Sequence, residues 1–174
     1  MTDANPMRDI MVGKVTLNIG VGTPGEKLDN AAKLLHMITS MKAVHTKTEK
    51  RIPAWGLRKN LQIATKITVR KAKAIPLLKR LLTAVGNKLP EKKFDDFGSF
   101  SFGVPEYIDI PGVDYQPEIG IIGMDVAVTL ERKGYRVKRR RLQNRRVGHA
   151  HQITREEAKE FMRKAFNTEV EEKE

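Results

Sequence analysis

The sequence predicts an α+β fold: one domain, 1–174, built on a mainly antiparallel sheet with helices packed on one face and the other face left free. Three observations carry this. Several segments alternate apolar and polar residues with a period of two, the pattern of a strand buried on one side only. Three others repeat apolar residues at helical spacing and carry start or stop signals. The elements do not follow the regular strand–helix–strand order that a parallel sheet covered on both faces requires.

Residues 14–19 alternate strictly, with Val15, Leu17 and Ile19 on one side and Lys14, Thr16 and Asn18 on the other. Gly20-Val21-Gly22-Thr23-Pro24-Gly25 follows; Thr23 and Glu26 have capping-box spacing, with Pro24 at the first helical position. Leu28, Ala31, Leu35 and Ile38 define a helix ending near Ser40. Residues 44–49 read as a short Thr-rich strand, and 52–62, with Pro53, Trp55 and Gly56, as an exposed loop. Residues 63–70 alternate again, Ile63, Ile67 and Val69 inward and Lys66, Thr68 and Arg70 outward. A second helix over 74–85 presents Ile75, Leu78, Leu81, Leu82 and Val85, takes Pro76 in its first turn and stops at Gly86-Asn87.

Residues 88–123 are rich in Gly, Pro and Asp, yet Phe94, Phe97, Phe100, Phe102, Tyr107 and Ile110 need burial. The stretch therefore reads as an ordered excursion with one short strand at 100–102. Met124, Val126, Val128 and Leu130 mark a strand over 124–131, and Arg132-Lys133-Gly134-Tyr135 a hairpin turn into a basic strand over 136–141. Thr154 and Glu157 form a second capping box, with Ile153 and Ala158 placed as a staple. The last helix is faced by Ala158, Phe161, Met162, Ala165 and Phe166. The ends, 1–9 and 168–174, are expected to be flexible, with 169–174 frayed.

Lys and Arg number 33 against 21 Asp and Glu, for a net charge of +12. Two blocks hold the excess. Residues 42–80 carry twelve bases and one acid, Glu49; residues 132–154 carry nine bases and no acid; residues 81–131 between them carry three bases and nine acids. A surface charged for solubility mixes its signs, so separate cationic blocks imply a polyanionic partner, commonly nucleic acid. The absence of Cys excludes a disulfide scaffold, a thiolate metal site and a cysteine nucleophile, and fits a reducing compartment. No apolar run of about 18 residues exists to span a membrane, and 1–10 lacks the apolar segment of a signal peptide.

Gly20 to Gly25 matches the dinucleotide fingerprint G-x-G-x-x-G, with Glu49 roughly where a ribose-binding acid stands. A small nucleotide-dependent enzyme on that turn is the rival reading. It requires a first strand buried on both faces, which would drive Lys14, Thr16 and Asn18 into the core. A glycine-permitted turn into a helix fits better, or one whose N–H groups approach a phosphate. His149 and His151 have metal-ligand spacing but lie among Arg145, Arg146 and Arg155, which repel a cation; no metal or cofactor is expected. Asp95-Asp96 has no acid–base partner in view.

The candidate site is instead a surface. Lys14, Thr16 and Asn18, Lys47 with Thr46 or Thr48, and Lys66, Thr68 and Arg70 share one chemistry: cations for phosphates, short stiff hydroxyls and amides for sugar 2′-OH groups and phosphate oxygens. If the three strands are neighbours, these side chains share a face. Beside it the loop 51–62 sets Trp55 among Arg51, Arg58 and Lys59, where the indole either stacks on a base or anchors the core. The block Arg132, Arg136, Lys138, Arg139, Arg140, Arg141, Arg145 and Arg146 reads as a second RNA contact. A generic basic DNA-binding module is the third reading.

Lys14 to Gly22 resembles the opening strand and turn of the L5 family of large-subunit ribosomal proteins. Gly56 to Arg70 resembles its central loop and strand; Phe94-Asp95, Phe100-Ser101-Phe102-Gly103 and Pro117 to Asp125 resemble its later signature. The likeness runs from about Ile10 to Phe166, and 132–166 looks like the archaeal form. It implies a non-enzymatic protein of the cytoplasmic ribosome that binds 5S rRNA through its sheet. It implies a place in the central protuberance beside other ribosomal proteins, contacts to 23S rRNA, and a loop at the elbow of the P-site tRNA. Carried over by position, the 5S face is Asn18, Thr46, Lys47, Lys66, Thr68 and Arg70 with Lys14 at its edge, and the tRNA loop is Arg51, Trp55, Arg58 and Lys59. The position of a bacterial Gln after the first helix is Met41 here.

Overall fold

A computed structural model describes residues 5–171. Strand β1, Ile10–Gly20, is the longest element of the sheet and lies between β3, Gln62–Arg70, and β6, Met124–Arg132. With β2, Val44–Lys47, and β5, Phe100–Val104, the order is β2-β3-β1-β6-β5, and every pairing is antiparallel. Alternation does the sorting. Val15, Leu17 and Ile19 pair with Val69, Ile67 and Thr65, and all six side chains are buried under the helices. Helix α1, Glu26–Thr39, and helix α2, Ala74–Ala84, cover this face with Leu34, Leu35, Ile38, Leu77, Leu78, Leu81 and Leu82. Burying each such leucine stabilises the fold by about 1.5–3 kcal/mol.

The first helix starts differently from the expected capping box. The N–H groups of Val21 and Gly22 both donate to the Ile63 carbonyl, at 3.0 and 2.8 Å, which turns the chain along β3. Gly25, at φ 130°, then becomes the N-cap, and no side chain caps the helix. Thr23 and Pro24 thus lie outside it. Helix α2 ends as expected, with Gly86 and Asn87 in the left-handed region and Asn87 N–H donating to the Leu82 carbonyl. Its buried stripe is Ala74, Leu77, Leu78, Leu81 and Leu82, which leaves Ile75 46% exposed, one position off the stripe.

The segment 88–123 is ordered, with Phe94, Phe100, Phe102, Tyr107 and Ile110 buried. Phe97 is the exception, at 63% exposure. The Asp95–Gly98 turn projects it because the space under the turn is already taken. A Cβ on Gly98, φ 78°, would meet Ile153 Cγ2 at 2.6 Å and Ala158 Cβ at 3.7 Å. Those two residues open helix α3, Arg155–Phe166, whose capping box forms: Glu157 N–H donates to Thr154 Oγ1 and Thr154 N–H to Glu157 Oε2.

Two expectations fail near the C-terminus. Gly134, φ 96°, makes the turn, but 136–141 is no strand; the chain enters a 3-10 turn over Tyr135–Lys138. Strand β6 is already paired with β1 on one side and with β5 over Met124–Val128 on the other, so little edge remains for a hairpin partner. Conversely, Glu169–Glu171, expected to fray, forms β7 in parallel with β4, Lys88–Pro90, beside the buried Thr168. At the other end Asn5 caps a short turn over Pro6–Arg8. The expected flexibility of 1–4 and 172–174 lies outside the described residues.

Gly98→Ala combines a left-handed backbone with a clash on Ile153, so it should lower unfolding free energy by about 1–3 kcal/mol. Urea denaturation checks this; an unchanged midpoint would show that the turn relaxes freely.

Candidate nucleic-acid interface

The residues between the buried ones point away from the helices. Lys14 lies opposite Arg70, Thr16 opposite Thr68 and Asn18 opposite Lys66 across β1 and β3. On the other side of β1 the partners are Thr129, Ala127 and Asp125, and β5 adds Ser101 and Gly103. Strand β2 adds Thr46, opposite Ala64, and the exposed Lys47, opposite Gln62 after a register shift. Thr46 also donates to the Ala64 carbonyl at 3.2 Å, which ties the edge strand down. All seven residues expected on the sheet therefore belong to one open surface. The sequence reading missed Gln62, Ser101, Thr129 and Asp125, although the parity of their strands carries the signal.

This surface has no aromatic side chain in its strands. Sheets that read single-stranded RNA by stacking display aromatic rings. A layer of ammonium, guanidinium, hydroxyl and amide groups suits phosphates and ribose hydroxyls instead. β-Branched Thr16 and Thr68 hold their hydroxyls in few rotamers, so little freedom is lost on contact.

The loop 48–61 is a small built structure. Buried Thr48 closes its base: its hydroxyl donates to the Arg58 carbonyl and accepts from Leu61 N–H, and its own N–H and C=O bond Leu61 and Asn60. An Ile52–Leu57 bridge forms the neck. At the tip Gly56 turns at φ 66° and Trp55 is 74% exposed, among exposed Arg51, Arg58 and Lys59. The indole is thus outside the core. The sequence reading placed Thr48 with the binding groups, and the structure spends it on the loop.

The second basic block divides. Arg132 is 6% exposed; its guanidinium donates to Glu157 Oε1 at 2.7 Å and to the Gln152 carbonyl at 3.2 Å. It is a brace between β6 and α3, and it is withdrawn from the candidate surface. Tyr135 closes the excursion it starts, donating to the His151 carbonyl and accepting from Ile153 N–H, both at 3.1 Å. Burial pushes the Tyr135 phenol up, so it stays a donor. Arg139 pairs with Glu131 at 2.6 Å, and Gly13 leaves space for that carboxylate, since a Cβ there would sit 2.5 Å from Glu131 Cδ. Arg140 is partly covered and bonds the Gln143 carbonyl. Arg136, Lys138, Arg141, Arg145 and Arg146 remain exposed.

The glycine turn does not form a nucleotide site of the dinucleotide kind. Its strand has antiparallel neighbours on both sides, and two of the turn's N–H groups are spent on Ile63. Among the described residues no helix is long and apolar enough to cross a membrane.

Comparison with known proteins gives a consistent picture. Residues 5–58 match the family model described as Ribosomal protein L5, and residues 62–161 match the model of that ribosomal family's C-terminus. Strands from both parts interleave in one sheet, β1 lying between β3 and β6. The chain is 45% identical to the large ribosomal subunit protein uL5 of Sulfolobus acidocaldarius, covering 95% of this chain and 93% of that one. It is 51% identical to the uL5 protein of Nanoarchaeum equitans, with coverage of 88% and 90%, and 42% identical to that of Methanosphaera stadtmanae, with coverage of 96% and 99%.

The Arg132–Glu157 brace has a pH signature. Burial acts to raise the Glu157 pKa, but the Thr154 N–H and the Arg132 guanidinium outweigh it and hold the carboxyl below its ordinary 4.5. A depressed carboxylate stabilises the fold above its unfolded pKa and loses that contribution as pH falls through the lower folded value. Glu157→Gln should therefore unfold at lower urea than the parent at pH 7. The gap should be modest, because Glu157 is 41% exposed, and should close below about pH 4.5. A gap independent of pH would assign the effect to packing.

Proposed function

Because the chain belongs to the ribosomal protein L5 family, and is a structural constituent of the large ribosomal subunit and not an enzyme, we propose that its open sheet face holds 5S rRNA and fixes it to the larger rRNA of the subunit. The cross-strand register carries this reading: Lys14 with Arg70, Thr16 with Thr68 and Asn18 with Lys66, all turned away from the helices. Cations neutralise phosphates while the hydroxyls and amide meet the sugar edge, the chemistry of backbone and minor-groove recognition of an RNA duplex. Thr46, Lys47 and Gln62 extend the surface toward the edge of the sheet.

The exposed part of the second block, Arg136, Lys138, Arg139, Arg141, Arg145 and Arg146, is assigned to 23S rRNA. Its separation from the sheet face along the chain, and its own hydrogen-bonded closure at Tyr135, support a distinct contact. The Thr48-closed loop with Trp55, Arg51, Arg58 and Lys59 is assigned to the P-site tRNA. The exposed indole beside three cations supports contact with a ribose or base.

Binding of 5S rRNA in a salt series tests the sheet. Lys66→Ala should weaken binding and flatten the log–log salt slope by about one. Thr68→Ala should weaken binding with the slope unchanged, since no charge is lost. Parent-like affinity and slope in both variants would remove the sheet from the model. Deleting 52–59 should leave 5S rRNA binding intact and weaken tRNA placement on assembled subunits; loss of 5S rRNA binding would overturn the loop assignment.

A further inference from the structure

Two acids of β6, Asp125 and Glu131, stand on the open face; Glu131 is paired with Arg139 at 2.6 Å, and Asp125 is the one without such a partner among the described residues. The row of residues across the sheet runs Val44, Lys66, Asn18, Asp125, Gly103 from β2 to β5. Asp125 is exposed, and no hydrogen bond or ion pair engages its carboxylate among the described residues. A carboxylate there repels the phosphates that Lys66 attracts, so its useful partner is a group with N–H donors and no negative charge.

The surroundings of Asp125 have room for such a group. Together with Asn18, Gly20, Gly103, Pro105 and Gly123 it lines a wide-mouthed surface depression of about 440 Å³ at the end of the open face. Gly123 lets the chain close in below, since a Cβ there would lie 2.8 Å from the Pro105 carbonyl oxygen. Gly20 and Gly103 have a different meaning. Neither has a positive φ, so neither backbone needs glycine. A Cβ on Gly20 would meet nothing within 4 Å, and one on Gly103 would meet only Asp125 Oδ1, at 3.9 Å. Glycine inside a strand weakens it, and where no bulge or turn demands it, it marks the close approach of another molecule.

We propose that this depression receives an unstacked guanine of the RNA held on the face, with the Asp125 carboxylate accepting from the ring N1–H and the exocyclic amino group. Guanine presents two adjacent donors on its Watson–Crick edge, which match the two oxygens of one carboxylate, followed by the O6 acceptor. Asn18, directly opposite Asp125 on β1, supplies an amide N–H of the kind O6 accepts. Unpaired bases splayed from a folded RNA are read in this way on their Watson–Crick edges. A protein guanidinium would also satisfy a carboxylate, but Lys66 and the cations around it oppose a basic partner. The proposal rests on the reading that RNA lies on the open face, and it adds base specificity to a surface otherwise limited to backbone contacts.

Kethoxal probing of 5S rRNA bound to the full chain tests it, because kethoxal attacks guanine at N1 and N2, the edge assigned to Asp125. The parent protein should protect one unpaired guanine. Asp125→Asn keeps the size and replaces one acceptor by a donor. It should expose that guanine and weaken binding roughly ten-fold or more, with the salt slope unchanged. Gly103→Val keeps the carboxylate and sets a branched side chain beside it where the base would lie, and should expose the same guanine; thermal melting of both variants controls for folding. Unchanged protection in Asp125→Asn overturns the proposal, as does tighter binding, which would show a carboxylate merely opposing phosphate. If Lys66→Ala and Thr68→Ala also bind like the parent, it is the RNA platform that has failed. If those two weaken binding and Asp125→Asn does not, the guanine pocket alone is wrong.

Discussion

The pairing of β1 with β3 and β6 is the constraint on which the rest depends. Side chains in a strand alternate with a period of two, so a slip of one residue would exchange the two faces completely. Through Lys14–Asn18 the pairing is regular on both sides, and the irregularities fall outside it, at Gly13 in β1 and between Thr46 and Lys47 in β2. The register that hides Val15 and Leu17 is therefore the same register that presents Lys14, Thr16 and Asn18. Core and binding surface are two sides of one set of hydrogen bonds.

That coupling explains which parts could be read from the residues alone. Strands with one wet face and helices with one greasy stripe announce themselves by period. Hence β1, β3 and β6, the helices α1, α2 and α3, and Lys14, Thr16, Asn18, Lys66, Thr68 and Arg70 of the open face followed from spacing, whereas the choice of Thr46 over Thr48 beside Lys47 came from the family resemblance. What did not follow depended on contacts distant in sequence. Ile63 takes two N–H groups of the glycine turn and shifts the start of α1 past Thr23. Strand β5 occupies 124–128 of the edge that a hairpin from 136–141 would have used, leaving only 129–132 open. Strand β7 exists because β4, some eighty residues earlier, offers it a partner. Arg132 looks in sequence like the first of a run of free cations, and only the position of Glu157 shows that it is a brace.

Both appendages of the sheet are held by side chains that the sequence would assign to binding or solvent. The Thr48 hydroxyl, together with that residue's own backbone groups, closes the Trp55 loop; the Tyr135 phenol, together with the Arg132 bond to the Gln152 carbonyl, closes the basic excursion. Holding a loop at its base and leaving its tip free fixes where its charges lie without burying them. The entropy of ordering those segments is then met within the protein, before any partner arrives, and the partner gains from a preorganised surface.

The place of β1 has a consequence for how the chain comes into being. One neighbour, β3, is complete by Arg70, but the other, β6, begins only at Met124. During synthesis from the N-terminus, β1 can form a hairpin-like half-sheet with β3 under α1 and α2 long before its second edge is satisfied. For that interval a long hydrogen-bonding edge with Val15 at its centre stands open, a template for wrong pairing. The last third of the polypeptide closes that vulnerability, so a nascent chain stalled before residue 124 would be the most aggregation-prone form of this molecule.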